Sequence, residues 1–271
     1  MHLLFLLSLP LLAQTEADEI MVKVAANFAH GPQLRRSYVY TERTSVRLLR
    51  ADRKVARQER RAYLVTPNGD ATEKKLTQIS GHYRRGKDLL PYTEQGFHYK
   101  GLDIDADLID SLTDDLINDK DSRDGVSTDG FPFLPKDLSH YKFTLIGTQP
   151  HRGRPAYRIA FAARAGTNFD HPWAGEALID IEDLHPLQIE TRLVPKIPFA
   201  VRTFLGTNLK QTGFTVTYTR VAPGVWFPAT YGTEFRLDVL FAYKRVITMS
   251  MESSDFRRVA ADSTVSFAPV P

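Results

Sequence analysis

Alternating apolar and polar residues are the feature that most restricts the fold of this 271-residue chain. In SYVYTERTSVRLL, which begins at Ser37, one face is formed by Tyr38, Tyr40, Glu42, Thr44, Val46 and Leu48. A period of two is typical of β-strands that are buried on one side. The alternation returns in residues 187–193 and 214–218. We therefore expect a β-rich protein built from many strands.

Turn signals join these strands in pairs. Asn68-Gly69 lies between two extended runs, which is a strong hairpin signal. Ala222-Pro223-Gly224 separates two later strands. The stretch GEALIDIEDLHPLQIETRLV, residues 175–194, predicts two short strands around an acidic turn. We expect about ten antiparallel strands, and a twisted sheet of that width curls or closes.

Two segments have helical spacing. Ile20, Val24 and Phe28 lie four residues apart, and His30-Gly31-Pro32 is predicted to end this first helix, because Pro cannot continue it. A second stripe consists of Ile104, Leu108, Ile109, Leu112, Leu116 and Ile117. We predict that both helices cover the concave face of the sheet. The fold class is then α+β and β-rich, with a half-open, strongly curved antiparallel sheet that forms an unclosed barrel.

The N-terminal stretch MHLLFLLSLPLLAQ contains an apolar run, residues 3–12, followed by Ala13. The run is too short to cross a bilayer and fits the core of a signal peptide that is cleaved after Ala13. A buried N-terminal strand or helix is the alternative. On the first interpretation residues 1–13 are a signal peptide, residues 14–271 form a single half-barrel domain, and the exported protein is periplasmic and soluble.

Composition argues against several classes of protein. The chain has 35 basic and 32 acidic residues, and its formal charge of +3 comes without a basic stripe, so we expect no nucleic-acid partner. A hydrophobic content of 42% argues against global disorder. Since there is no cysteine, disulfides, thiolate metal sites and lipid attachment through cysteine are excluded.

Short catalytic motifs are absent from the sequence. It has no zinc-binding histidine spacing, no G-x-S-x-G and no phosphate-binding glycine loop, and its scattered histidines are expected to be solvated or capping. DKDSRDGVSTDG, residues 119–130, starts like a calcium loop, but Arg123 and Gly130 occupy ligand positions. We expect a flexible acidic loop there, and no catalytic residue, metal or cofactor. Paired carboxylates distant in sequence stay open, although the acids look solvated.

Rows of large apolar residues form the candidate binding surface. Such rows ordinarily make up a core. A wide curved sheet that two helices do not fill would instead keep an apolar cavity suited to acyl chains. Both interpretations stay open. The candidate cavity residues are Tyr38, Tyr40, Tyr157, Ile159, Phe161, Phe214, Tyr218, Phe227, Tyr231, Phe235 and Tyr243.

The connector VPKIPFAVRTFLGTN, residues 194–208, is a second candidate. Pro195 and Pro198 keep its start out of regular structure, yet it is too apolar for an ordinary surface loop. It is either a loop packed on the sheet or a mobile lip at the mouth of the cavity, in contact with a membrane surface or an envelope protein. The candidate lip residues are Ile197, Phe199, Val201, Phe204 and Leu205.

The order of these elements resembles the LolA and LolB type of periplasmic lipoprotein carrier and the wider group of outer-membrane lipoprotein-sorting-like proteins. The resemblance rests on GRPAYRIAF, on VWFP at residues 225–228, and on a strand end at Ile179-Asp180 that precedes Glu182, Asp183 and Pro186. It covers most of the chain. It implies an unclosed barrel with helices as a lid, which binds lipid or a lipid-modified chain without chemistry.

Three functions follow as hypotheses. The first is a non-enzymatic carrier of acyl chains in lipid or lipoprotein trafficking. The second is an envelope sensor or scaffold that binds a protein partner through the same half-barrel. The third is a hydrolase with sequence-distant carboxylates, which requires clustered, buried acids.

Overall fold

The computed structural model describes residues 9–68, 71–118, 133–164, 174–192, 208–210, 213–239 and 243–259. Its α-helices are α1 (Leu9–Arg35) and α2 (Ile104–Asn118). Its strands are β1 (Tyr38–Leu49), β2 (Val55–Asn68), β3 (Ala71–Arg85), β4 (Asp88–Tyr92), β5 (Tyr141–His151), β6 (Arg154–Ala163), β7 (Ala174–Asp180), β8 (Pro186–Arg192), β9 (Asn208–Lys210), β10 (Phe214–Ala222), β11 (Val225–Val239) and β12 (Tyr243–Arg258). The described part thus has twelve strands rather than about ten, since short strands such as β4 and β9 carry no clear alternation.

All twelve strands belong to one antiparallel sheet that does not close. Eleven follow in the order β4-β3-β2-β1-β12-β11-β10-β8-β7-β6-β5, and β9 pairs with β11. The edges are β4 and β5, although these strands are consecutive in the chain. The connection that contains α2 therefore has to cross from one edge of the sheet to the other. The predicted β-rich, half-open antiparallel sheet is confirmed.

The two predicted tight hairpins are confirmed. Asn68 pairs with Ala71 at the end of β2 and β3, and Ala222 pairs with Val225 at the end of β10 and β11. The alternation in β1 also holds, because one face is buried throughout: Tyr38, Tyr40, Glu42, Thr44, Val46 and Leu48.

The β5–β6 hairpin has a tight turn. The two strands continue to the pair His151–Arg154. Arg152 and Gly153 have φ values of 49° and 81°. Two successive positive φ angles are what a two-residue hairpin turn of type I′ requires.

The apolar stripe of α1 packs on the sheet as predicted. Met21 and Val24 have no exposed surface, and Ile20 and Phe28 are each 9% exposed. They contact apolar residues of β5, β6, β7, β8 and β10. Burial of this stripe explains why the segment is helical in its folded context.

The predicted end of α1 at Pro32 is wrong, because the helix continues to Arg35. Pro32 lacks an N–H and removes one helical hydrogen bond. Arg35, the last residue of the helix, attaches it to the sheet: its buried side chain donates from Nη1 to the carbonyl oxygen of Trp226 at 3.0 Å. Gly31 leaves room for this arrangement, since a Cβ there would lie 2.8 Å from the same Nη1.

Helix α2 packs on another part of the same sheet face. Leu108, Ile109 and Leu112 are buried against residues of β1, β2, β11 and β12. Residues opposite each other in a strand pair point to the same side of a sheet. The pairs Val216–Tyr231 and Tyr231–Met251 therefore connect the face under α1 with the face under α2.

Candidate functional site

The structure divides the predicted cavity residues among three buried clusters. The cluster under α1 contains Ile159, Phe161, Phe214 and Tyr218, with Tyr157 and Tyr231 packed against it. The cluster under α2 contains Phe235, with Tyr231 and Tyr243 packed against it. The third cluster contains Tyr38, Tyr40 and Phe227. These residues do not meet at one place, and their role in ligand binding stays a prediction.

Helix α1 occupies the apolar face at the largest of these clusters. Its Met21 and Val24 side chains are fully buried there. The Phe28 ring packs edge-on against Tyr218, with 6.0 Å between the ring centroids. An apolar ligand that enters at this point has to displace α1.

A few polar contacts attach α1 to the strand ends. Asn27 Nδ2 donates to the carbonyl oxygens of Asp183 and Leu184, at 3.0 and 3.3 Å. Arg35 makes the bond to Trp226 at the other end of the contact. Because α1 pairs with no strand, these contacts are separate from the hydrogen bonds that hold the sheet together.

The acidic turn between β7 and β8 is built around one buried carboxylate. Asp180 has no exposed surface, and its Oδ1 accepts the N–H groups of Glu182 and Asp183 at 3.0 and 2.7 Å. Arg154 forms an ion pair with the same carboxylate. Burial raises the pKa of Asp180, but the bonds from Arg154 and the two amides outweigh it, so the pKa lies below its usual value. The turn that supports the family resemblance therefore has a structural role.

His185 follows this turn and lies inside the core. It is 4% exposed and stacks on Trp226, with ring centroids 5.0 Å apart and planes 5° apart. Its Nε2 has no hydrogen-bond partner among the described residues. Burial lowers the pKa of His185 to about 4. The prediction that the histidines are solvated or capping is wrong for this residue.

Two predicted features lie outside the described residues. One is the acidic loop, residues 119–130. The other is the proposed lip, with Ile197, Phe199, Val201, Phe204 and Leu205. Both stay predictions.

A polar pocket of about 240 Å³, which we call the basic pocket, lies where α2 begins. It is formed by β2, β3, the start of α2 and the start of β12, and of its residues only Tyr243 was a predicted site residue. The lining residues are Arg50, Ala56, Arg57, Tyr83, Arg84, Tyr99, Lys100, Leu102, Asp103, Ile104, Asp105, Tyr243 and Arg245.

Two arginines of the basic pocket pair with its two carboxylates. Arg57 Nη1 lies 2.7 Å from Asp103 Oδ2, and both side chains are nearly fully buried. Arg245 binds Asp105 with two nitrogens, at 2.8 and 2.9 Å. Tyr243 also donates to Asp105, and burial together with this carboxylate raises the pKa of Tyr243. Both aspartates are thereby neutralised.

Several acids of the described residues are buried, which contradicts the expectation that they are solvated. The buried carboxylates are Glu42, Glu59, Asp103 and Asp180. Each has a cationic partner, in the pairs Glu42–Lys74, Glu59–Arg61, Asp103–Arg57 and Asp180–Arg154. A buried charge needs such a partner. Burial of these acids therefore indicates structural ion pairs and does not by itself mark a hydrolase.

Two further findings concern metals and membranes. Among the described residues no group of three or more histidine or acidic side chains could hold a metal ion. In the same part of the chain, neither helix combines the length and the apolar character that crossing a membrane requires.

Comparison with known proteins gives matches in structure only. No family model and no curated protein sequence matches the chain. A DUF1329 family protein from Desulfovibrio piger matches at 11% identity and a TM-score of 0.35, over 94% of this chain and 95% of the other. A LolA superfamily protein from Nitrosomonas europaea matches at 10% and 0.29, over 90% and 93%. An outer membrane lipoprotein-sorting protein domain from Vibrio parahaemolyticus matches at 12% and 0.34, over 92% and 94%.

The structural matches thus include the group of proteins that the sequence resembles. With TM-scores this low, function has to be inferred from the chain's own residues.

Proposed function

We propose that this chain is an exported, non-enzymatic binding or carrier protein for the acyl chains of lipids or lipid-modified proteins. It acts in outer-membrane lipoprotein or lipid trafficking, in the periplasm, after removal of residues 1–13. The half-open sheet is its binding element, and the two helices cover the concave face as a lid. The observation that carries this proposal is an open sheet with an apolar face on which α1 rests without strand pairing.

Helix α1 is suited to act as the movable part of the lid. It is joined to β1 by Arg36 and Ser37 alone, so it can swing away while every strand pair stays intact. Its departure exposes Ile159, Phe161 and Val216, which are all buried in its presence. An acyl chain in this place recovers roughly 0.8 kcal/mol for each buried methylene group. Cargo and α1 then compete for one surface.

The apolar connector of residues 194–208 completes the proposal as a lip at the mouth of the half-barrel. Its large apolar residues cover this mouth when no cargo is bound and contact the membrane during transfer. In this proposal anionic headgroups are met by three cations of the connector and the residues after it, Lys196, Arg202 and Lys210.

A covalent lock on α1 tests the competition. Asn27 contacts the backbone of Leu184, and since the chain has no cysteine, Asn27→Cys with Leu184→Cys introduces a single defined pair. We expect the oxidised form to bind a fluorescent fatty acid at least roughly tenfold more weakly than the reduced form, because an immobile α1 blocks the apolar face. The reduced form of the same protein is the control, and fluorescence titration is the measurement.

Native lipid mass spectrometry of the purified wild type complements the titration. We expect co-purified acyl lipid in the unlocked protein and none in the oxidised variant. Equal fatty-acid affinity of the oxidised and reduced forms would show that α1 is a fixed part of the core. If the wild type neither co-purifies with lipid nor binds the fluorescent fatty acid, the proposed carrier function is wrong.

An envelope sensor or scaffold is the second candidate. The edge strand β5 favours it, because Ile146 is 47% exposed and residues 147–150 are exposed as well. An exposed edge can accept a strand from a partner protein. Partner capture that persists in the oxidised lock variant would support this function over acyl transport.

A further inference from the structure

The basic pocket holds more positive charge than it neutralises internally. Five cationic and two carboxylate side chains line it, a surplus of three positive charges. Asp103 and Asp105 are fully engaged by Arg57 and Arg245. Among the residues that the structure describes, no carboxylate forms an ion pair with Arg50, Arg84 or Lys100.

Part of this cationic wall is held in place before any ligand binds. Arg84 donates to the carbonyl oxygens of Val55 and Lys87, at 2.6 and 2.9 Å. Lys100 Nζ lies 5.0 Å from the centre of the Tyr99 ring. Arg84, which is fixed by its two hydrogen bonds, loses little freedom on binding, and this favours affinity for an anion.

The rim of the basic pocket is apolar and open to solvent. Leu102 is 73% exposed, and Tyr99 and Ile104 are each 39% exposed. Ile104 was predicted to belong to the buried stripe of α2, and it lies at this rim instead. Three exposed apolar side chains beside cations that form no close ion pair within the described residues are unusual for a purely structural surface. The combination matches a ligand with an anionic head and an apolar body.

We propose that the basic pocket binds the phosphate headgroup of an anionic amphiphile. Arg50, Arg84 and Lys100 bind the phosphate oxygens, and Leu102 contacts the first methylene groups at the rim. Arginine and lysine form strong, charge-assisted hydrogen bonds with phosphate. This inference deepens the proposed carrier function, on which it rests for its relevance to cargo, by naming the chemistry of the cargo's headgroup.

The size of the basic pocket sets the part of the ligand that enters. Its volume of about 240 Å³ is below the roughly 300–1,000 Å³ of pockets for drug-sized ligands. A phosphate with its nearest carbons fits the pocket, whereas a complete lipid does not. The remaining chain leaves past Leu102 and Ile104.

Isothermal titration with three probes tests the headgroup assignment: inorganic phosphate, dodecyl phosphate below its micelle concentration, and laurate. We expect dodecyl phosphate to bind most tightly. Arg50→Ala with Lys100→Ala should weaken it roughly tenfold or more, since charged hydrogen bonds are lost. Leu102→Ser should weaken dodecyl phosphate and leave inorganic phosphate unchanged, which separates a lipid headgroup from free phosphate as the source. Both cations and Leu102 are exposed, so these variants are expected to fold.

Arg47→Ala with Arg60→Ala is the matched control, because it removes the same charge from exposed positions on the opposite face of β1 and β2. If this control weakens dodecyl phosphate binding as much as the pocket variant does, the effect comes from overall charge and the proposal is wrong. Tight binding of laurate at the pocket would show that the headgroup is a carboxylate, which also overturns the proposal. So does a wild type that does not bind dodecyl phosphate. The oxidised Asn27→Cys, Leu184→Cys protein separates the two functions. If the oxidised protein binds dodecyl phosphate but the unlocked protein binds no fatty acid, the acyl-carrier function is wrong and the phosphate site in the basic pocket stands.

Discussion

At the scale of single residues, His185 lies in an environment that disfavours its charged form. It lies between Trp226, Phe28 and Tyr218, and burial lowers its pKa to about 4. The neutral ring therefore belongs to the core. In the sequence, its apolar neighbours Leu184 and Leu187 indicate burial, whereas the spacing of the histidines carries no information about it.

This burial predicts a pH-dependent stability. The unfolded histidine has a pKa of 6.5 and the folded one of about 4, so the unfolded chain binds more protons between these values. The free energy of unfolding should fall as pH drops from 6.5 to 4, by up to about 3 kcal/mol from this group. We expect His185→Phe to reduce that fall, as measured by urea denaturation at several pH values. His30→Phe, at an exposed position, is the control. An unchanged pH dependence in His185→Phe would contradict the assignment.

At the scale of elements, α2 is the helix whose attachment the sequence described least well. Its apolar stripe predicted packing on the sheet, and Leu108, Ile109 and Leu112 confirm it. Three aspartates of this region also pair with arginines of the sheet, in Arg57–Asp103, Arg61–Asp110 and Arg245–Asp105. In VARQERRAYLV both faces of β2 carry charges, so alternation alone could not show which charges are buried.

Breaking one of these pairs tests how α2 is held. Arg57→Met leaves Asp103 as a buried charge, and removing one partner of a buried pair costs about 3–5 kcal/mol. We expect a second change, Asp103→Asn, to recover at least about 1 kcal/mol, because the amide is uncharged and still caps α2, where Asp103 now accepts the N–H of Ala106. Denaturant unfolding of both single variants and the double variant measures the coupling. If the losses of unfolding free energy in the two single variants add up to the loss in the double variant, the pair does not act as a unit.

At the scale of the whole molecule, the order of the strands was the part that the sequence left open. Hairpin turns specify neighbours such as β2 and β3. The β1–β12 pair instead joins the first and the last described strands of the chain, and it has no local signal. The positions of some prolines indicate which strands lie at an edge or beside an irregularity of the sheet. Pro91 and Pro150 lie in the edge strands β4 and β5, and Pro228 lies beside a register shift in β11. These are positions where a sheet tolerates a missing N–H.

Strand β12, an interior strand without a proline, should therefore tolerate proline poorly. It pairs with β1 on one side and β11 on the other, so it holds β1–β4 together with the rest of the sheet. Ser250 is exposed and pairs with Ser45 and Gly232, which means that its side chain contributes little while its backbone lies between two strands. We expect Ser250→Pro to lower the free energy of unfolding by about 3 kcal/mol or more, because a central strand loses a ladder hydrogen bond. Ser250→Thr should leave it nearly unchanged, and urea denaturation compares the two. A loss below about 1 kcal/mol for the proline variant would place β12 at an edge and contradict the strand order.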